Sequence, residues 1–293
     1  AEKLSSDPNK IAAIAGDIQC TESMFALKQL FNSIGSPHTD CRQDGAAIDY
    51  SNRGAYLFNT TIAGIEKSDL CLLIGANPRY EAPLLNARLR KRFLNGGFRV
   101  LNLGAQTDLT FQTEQLGDNP NIINEINAGT HFAADLLTNA KHPMLIIGQS
   151  ALCRSDGSSI LAASRKLAES FGFIFDDWNG FNILHTAAAR VGGLDVGFVP
   201  DSLGLDVQGI LNGAKNSTIE VVYLLGADEI DMKCLQSSFV IYQGHHGDAG
   251  ANHADIILPG SAYTEKNATW VNIEGRPQLG KRSVFPPGDA RED

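Results

Sequence analysis

Seven times along this chain a short apolar run ends in glycine or just before one. The runs are "IAAIAG" to Gly16, "LCLLIG" to Gly75, "VLNLG" to Gly104, "MLIIG" to Gly148, "VVYLLG" to Gly226, "FVIYQG" to Gly244 and "DIILPG" to Gly260. Continuous apolar runs of this length read as strands buried on both faces, which is the habit of parallel sheets. Most of the intervening segments have helical spacing. "TESMFALKQLFNSIG" places Met24, Leu27, Leu30, Phe31 and Ile34 on one stripe and closes at Gly35. "RGAYLFNTTIAGIEKS", "YEAPLLNARLRKRFLNGG" ending at Gly96, "SDGSSILAASRKLAESFG" capped by Ser155 and ending at Gly172, and "WNGFNILHTAAARVGG" read the same way. Strand, helix and strand in succession imply right-handed crossovers and a doubly wound, mostly parallel α/β sheet. Gly, Pro and Asn clusters such as "LGDNPN" and "GGLDVGFVPDSLGLD" mark long connections or a boundary, so two sheets compete with one.

At 293 residues and 43% hydrophobic, the chain can bury a large core without disulfides or metal. A net charge of −9 argues against a nucleic-acid partner, which needs clustered Lys and Arg. The five cysteines, at 20, 41, 71, 153 and 234, form no CxxC pair, and their odd count suits a reducing compartment. Cys71, inside an apolar run, reads as a small buried hydrophobe. No stretch is long and apolar enough for a membrane helix, and no signal peptide is visible. The lack of an initiator Met fits a processed chain or a piece of a longer one.

Glycines at strand ends let a ligand or another backbone approach, or simply make tight turns, and none opens a GxGxxG or Walker A motif. Asn77, Pro78 and Arg79 follow the second run; a turn explains them, and so would an arginine offered to an anionic group. Arg88, Arg90, Lys91 and Arg92 spread around a helix as a solvated face or a docking surface. "GHHGDAGANHADIILPG" gathers His245, His246, Asp248 and His253. Adjacent histidines point in different directions and no HExxH helix is present, so the spacing suits a metal or acid–base site poorly. "SAYTEKNATWVNIEGRPQ" reads as a strand or extended loop turning at Glu274 and Gly275, with no nucleophile–base pair.

Taken together, "GDIQCTESMFALKQLFNSIGS", "SDLCLLIGANPRYEAPLLNARLRKRFLNGGFRVLNLG" and "ADIILPGSAYTEKNATWVNIEGRPQ" resemble the molybdopterin oxidoreductase superfamily. "NTTIAGIEKSDLCLLIGANPRYEAPLLNARLRK", "YQGHHGDAGANHADIILPGSAYTEKNATWVN" and "PPGDARED" look more closely like the large iron–sulfur subunits of respiratory complex I, over nearly the whole chain.

The resemblance implies two α/β domains, one inserted in the other: residues 1–38 with 216–275, an insertion at 39–215, and a C-terminal extension at 276–293. It implies iron–sulfur clusters in a region N-terminal to residue 1 and none in this segment. Its partners would be other subunits of the complex I peripheral arm. The expected location is the cytoplasmic side of a bacterial inner membrane or the mitochondrial matrix side, without direct membrane insertion. Molybdenum enzymes of this type carry a Cys, selenocysteine or Ser metal ligand just after the segment resembling "SPHTDCRQDGAA". Here Cys41 falls a few residues early and "RQDGAA" offers no such group. Molybdopterin and catalytic residues are therefore expected to be absent, and the segment is expected to be a structural, subunit-docking remnant. Gly75, Asn77, Pro78, Arg79, Gly226, His245 and His246 are its candidates for lining a vestigial crevice. An active molybdopterin oxidoreductase domain, or a crevice rebuilt for another nucleotide, are the alternatives.

Overall fold

The computed structural model describes residues 1–293. Its strands are β1 (Ile11–Ala15), β2 (His38–Asp40), β3 (Leu70–Ile74), β4 (Arg99–Leu103), β5 (Glu114–Gly117), β6 (Pro143–Ile147), β7 (Ile174–Phe175), β8 (Trp178–Asn179), β9 (Phe181–Ile183), β10 (Val221–Leu225), β11 (Phe239–Gly244), β12 (Ile256–Pro259), β13 (Ala268–Val271) and β14 (Pro277–Gly280). Its helices are α1 (Thr21–Ile34), α2 (Pro78–Glu81), α3 (Pro83–Leu94), α4 (Ile122–Asn127), α5 (Ala133–Asn139), α6 (Gln149–Leu152), α7 (Gly157–Ser170), α8 (Arg190–Asp195), α9 (Val207–Lys215) and α10 (Ala249–His253). The chain divides into a discontinuous unit, residues 1–45 with 187–293, and an inserted unit, residues 46–186.

In the discontinuous unit the sheet runs β12-β11-β10-β1-β2 with every pair parallel. Every residue of β1 and β10 is buried. Alternate side chains Ala12, Ile14, Val222, Leu224, Val240 and Tyr242 join Val207, Ile210, Leu211 and Ala214 of α9 in one core. Period-2 alternation sends those strand residues to one face, and the 3.6-residue helical period gives α9 its matching stripe. Asp206 caps that helix by accepting from the Gly209 amide at 2.8 Å. On α1, Met24, Leu27 and Phe31 are buried while Leu30 is 41% exposed, so the stripe is narrower than the sequence suggested. The helix stops at Gly35, whose φ of 80° lets its amide reach back to Asn32 and Phe31.

The inserted unit has its own parallel sheet, β5-β4-β3-β6-β9. Its centre, β3 and β6, is buried throughout, Cys71 included. In both sheets the order reverses beside the first strand, between β1 and β10 and between β3 and β6. These are the switch points where open α/β sheets leave a crevice.

All seven apolar runs are strands. The sequence-based boundaries differ from the observed ones. β2 pairs with β1, and α9 packs on the discontinuous sheet, so residues 39–45 and 187–215 belong to that unit and not to the insertion. Residues 276–293 are not a separate extension: β14 pairs with β13, and Arg291 bridges Gly260. "RGAYLFNTTIAGIEKS" holds only two short 3-10 turns. There the Asn59 amide donates to Gly54 and Phe181 carbonyls, and the Thr60 amide donates to Asn182, so side chains fix a loop instead of a helix. "WNGFNILHTAAARVGG" begins with β8 and β9 and continues as loop, with helix only from Arg190. The residue before α7 is Asp156, not Ser155. β12 was expected to be covered on both faces, yet Ile256, Ile257 and Leu258 are all exposed.

Candidate functional site

At the switch point of the discontinuous unit, the loops after β1, β2, β10 and β11 surround a cleft of about 210 Å³. Asp17 and Ile18 follow β1, Gln43 follows β2, and Gly226, Asp228 and Glu229 follow β10. Tyr242, His245, His246 and Asp248 come from β11 and its loop. Gly226 sits there because its φ of +58° is left-handed and a side chain would collide with the Gln19 amide.

The walls are held by specific bonds. Tyr242 donates its hydroxyl to Asp228 at 2.6 Å, and the Gly250 amide donates to the other oxygen of the same carboxylate at 2.7 Å. Gln43 donates to Glu229 at 3.1 Å, while its own side-chain oxygen is buried without a donor. Behind this wall lies Arg190, which is 1% exposed. Its Nη2 stands 3.0 Å from Asp44 Oδ1 and 3.7 Å from Asp17 Oδ1, while Nε and Nη1 meet no hydrogen-bond acceptor. Burial holds the Asp17 carboxyl above its ordinary range, against the pull of Arg190. Burial and then the Asp228 hydrogen bond push the Tyr242 hydroxyl up. The cleft is thus rich in acceptors.

The rings of His245 and His246 meet edge to face at 4.4 Å. Burial, then the neighbouring His246, lowers the His245 pKa below its ordinary 6.5. A lowered histidine pKa means that the unfolded chain binds the proton more readily, so stability is full above about 6.5 and falls as pH drops below it. We expect the melting temperature of His245→Ala to fall less between pH 7.5 and 5.5 than that of the parent. An equal or larger fall would remove His245 from the acid sensitivity.

No group of three or more His, Cys, Asp or Glu side chains is arranged to hold a metal. Cys41, the one thiol near the position of the implied metal ligand, is 1% exposed, and burial pushes its pKa up to about 12. Gly193 of α8 packs so closely that a Cβ there would lie 2.8 Å from its sulfur. It is a packing residue.

Of the residues singled out in the sequence, Gly226, His245, His246 and Asp248 share this cleft. Gly75 lies in the inserted unit, lining a separate cleft of about 210 Å³ with Gly104, Asp118, Ser150 and Arg154. Ala151 packs where its Cβ would go, at 2.7 Å, so helix packing alone demands glycine there. Asn77, Pro78 and Arg79 are not among that cleft's lining residues. Arg79 instead pairs with Asp108 at 2.5 Å, and Pro78 is buried as the first residue of α2. Asp17, Gln43, Arg190, Asp228, Glu229 and Tyr242 were missed. Asp17 and Asp228 carried a legible signal, since they fall one and two residues after the strand-end glycines of the switch point.

The model of the molybdopterin oxidoreductase family matches residues 1–293, and the chain belongs to that family. Within it, the chain is 46% identical over 294 residues to the G subunit of NADH-quinone oxidoreductase from Rickettsia bellii, covering all of this chain and 42% of that protein. It is 44% identical over 300 residues to the NADH-ubiquinone oxidoreductase 75 kDa subunit of Reclinomonas americana, covering 97% of this chain and 42% of that one. The chain therefore spans less than half the length of these relatives. Among solved structures, acetylene hydratase from Pelobacter acetylenicus superposes with a TM-score of 0.73 at 13% identity, over all of this chain and 55% of that one. The formyltransferase/hydrolase complex of Methylorubrum extorquens gives 0.68 at 16% identity, over 97% and 88%. At such identities the likeness is one of fold, with two parallel-sheet α/β units.

Proposed function

We propose that this chain is a segment of the large subunit of NADH:quinone oxidoreductase, acting as a scaffold and docking surface for neighbouring subunits. In this reading electrons pass from NADH to quinone through iron–sulfur clusters outside these residues, and the partners are other subunits of the complex's peripheral arm. The observation that carries it is the 46% identity to the Rickettsia bellii protein, sustained over the full chain. The place we assign is the cytoplasmic face of a bacterial inner membrane, or the mitochondrial matrix face. No helix is long and apolar enough to cross a membrane.

A molybdenum pterin, which the family name implies, would supply redox chemistry at a metal held by a protein thiolate or its equivalent. The residues here do not fit the metal, because Cys41 is sealed in the core as a thiol. We therefore propose no catalytic step in this segment. In the purified complex, elemental analysis should find molybdenum and tungsten far below one atom per complex, and oxidised extracts should lack pterin fluorescence. Stoichiometric metal with pterin would overturn the reading. His245→Ala combined with His246→Ala should leave assembly and NADH oxidation largely intact.

A second reading is supported by the cleft in the inserted unit, which opens at a switch point and is lined by Gly75 and Gly104 at strand ends, Ser150, Asp118 and Arg154. In that reading the crevice is rebuilt to bind another nucleotide. A nucleotide that binds the native state must raise its melting temperature, so a panel that shifts nothing would set this reading aside.

A further inference from the structure

The inner side of α3, Leu85, Asn86 and Leu89, is buried, and its outer side is bare. Leu84 is 86% and Leu94 63% exposed, and Ala87, Arg88 and Lys91 between them are exposed as well. Tyr80, on α2 just before, is 79% exposed. Leu84, Ala87, Lys91 and Leu94 recur at intervals of three, four and three residues, so they lie along one line of the helix. That is the spacing of a seam between two packed helices, and the small Ala87 would let a second backbone come close at its middle.

The same face is short of carboxylates. α3 contains Arg88, Arg90, Lys91 and Arg92 and no acidic residue. Arg88 and Lys91 both reach Glu66 Oε1, at 2.8 Å each, so one carboxylate serves two cations. Arg90 donates to the Thr110 carbonyl, and Arg92 to the carbonyls of Ser68, Gly96 and Gly97. Asp108 and Glu114, farther along the inserted unit, pair with Arg79 and Arg99. This cationic face belongs to a chain whose net charge is −9.

We propose that the face of α3 formed by Leu84, Ala87, Lys91 and Leu94 docks an amphipathic helix of a neighbouring subunit, with carboxylates opposite Arg88 and Lys91 and apolar side chains over the two leucines. The proposal rests on the subunit reading above. Charge complementarity chooses the occupant. A helix laid over Leu84, Ala87 and Leu94 covers Lys91 too, and a cation taken out of water needs a carboxylate. Glu66 is already shared, so the partner must bring its own. An anionic membrane or a nucleic acid would meet the same cations. Neither fills a seam of two leucines at helical spacing, and the chain's net negative charge repels both.

The test is photocrosslinking of the full-length protein in its own cells, with p-benzoylphenylalanine at Leu84, an exposed position whose substitution leaves the core untouched. The expected product joins this position to another protein, at a peptide with acidic residues three or four apart, located by mass spectrometry. Arg88→Glu with Lys91→Glu should cut the yield by about tenfold or more, as losing a charge pair desolvated at an interface does. Changing the partner's mapped carboxylates to lysine should then restore it. Arg88→Gln with Lys91→Gln adds no repulsion toward Glu66, so it keeps the fold and should lower the yield as well. Crosslinks to phospholipid, to nucleic acid, to a second copy or to a segment without carboxylates would overturn the proposal. So would no crosslink from a folded protein, or a yield indifferent to the charges. The subunit reading fails separately: it falls if the full-length protein does not co-purify with NADH:quinone oxidoreductase, whatever crosslinks form.

Discussion

Arg190→Met should lower the stability of the discontinuous unit by about 3–5 kcal/mol, the usual cost of removing one partner from a buried ion pair. The guanidinium is 1% exposed and faces Asp44 at 3.0 Å and Asp17 at 3.7 Å. Each carboxylate keeps about a quarter of its side chain in solvent, so water would recover part of the loss. That places the expected value nearer 3 than 5 kcal/mol. The arginine's own desolvation opposes it, and its pKa is nonetheless raised because its neighbours, Asp44 first, together outweigh that burial. Arg190→Lys should recover only part of the stability, because a compact ammonium does not reach two carboxylates with the planar spread of a guanidinium. The measurement is urea unfolding by circular dichroism. A change below about 1 kcal/mol for Arg190→Met, the range of a surface pair, would mean that the charge is not structurally needed.

The same residue shows what was and was not legible in the sequence. The seven strands were visible because a sheet covered on both faces demands unbroken apolar runs, and nothing else in the chain looks like them. The short polar strands β2 and β5 were not visible. β2 is His38-Thr39-Asp40 and β5 is Glu114-Gln115-Leu116-Gly117, whose polar side chains find many of their partners through contacts distant in sequence. His38 Nδ1, for instance, accepts from the Leu205 amide, and the Asp40 carboxylate accepts from the Val207 amide at the start of α9. Half of the site was legible through the glycines that end strands and the polar residues just after them. Arg190 was hidden because its meaning depends on Asp17 and Asp44, far away in sequence. The one clue was a lone cation in "HTAAARVGGLDVG", a stretch made mostly of small and apolar residues, where an unpaired cation would be too costly to bury.

The domain boundaries show the same limit. A resemblance between motifs indicates the insertion but does not say which flanking residues each core recruits. α9 joins the discontinuous core because Val207, Ile210, Leu211 and Ala214 recur at helical spacing against alternate residues of β1, β10 and β11. That complementarity exists only once the strand order is known.

Lys266→Met should be comparably destabilising, by about 3–5 kcal/mol. Its side chain is 5% exposed and its ion-pair partner Asp293 is 4% exposed. Asp293 also accepts from Gln243 of β11 at 3.0 Å and from Ser23 of α1 at 3.4 Å, so one carboxylate ties the chain after β14 to the sheet and to the first helix. With the ammonium gone, two neutral donors remain for a carboxylate still out of water, and they cannot offset its desolvation. Asp293→Asn should cost as much, leaving the lysine unpaired. The double variant Lys266→Met, Asp293→Leu should then be more stable than either single variant, because no uncompensated charge is left and the replacements are apolar. The double-mutant cycle in the full-length subunit reads this directly. Additive effects, with a coupling near zero, would show that the two groups are solvated and that the segment around residues 281–293 is held by something other than this pair.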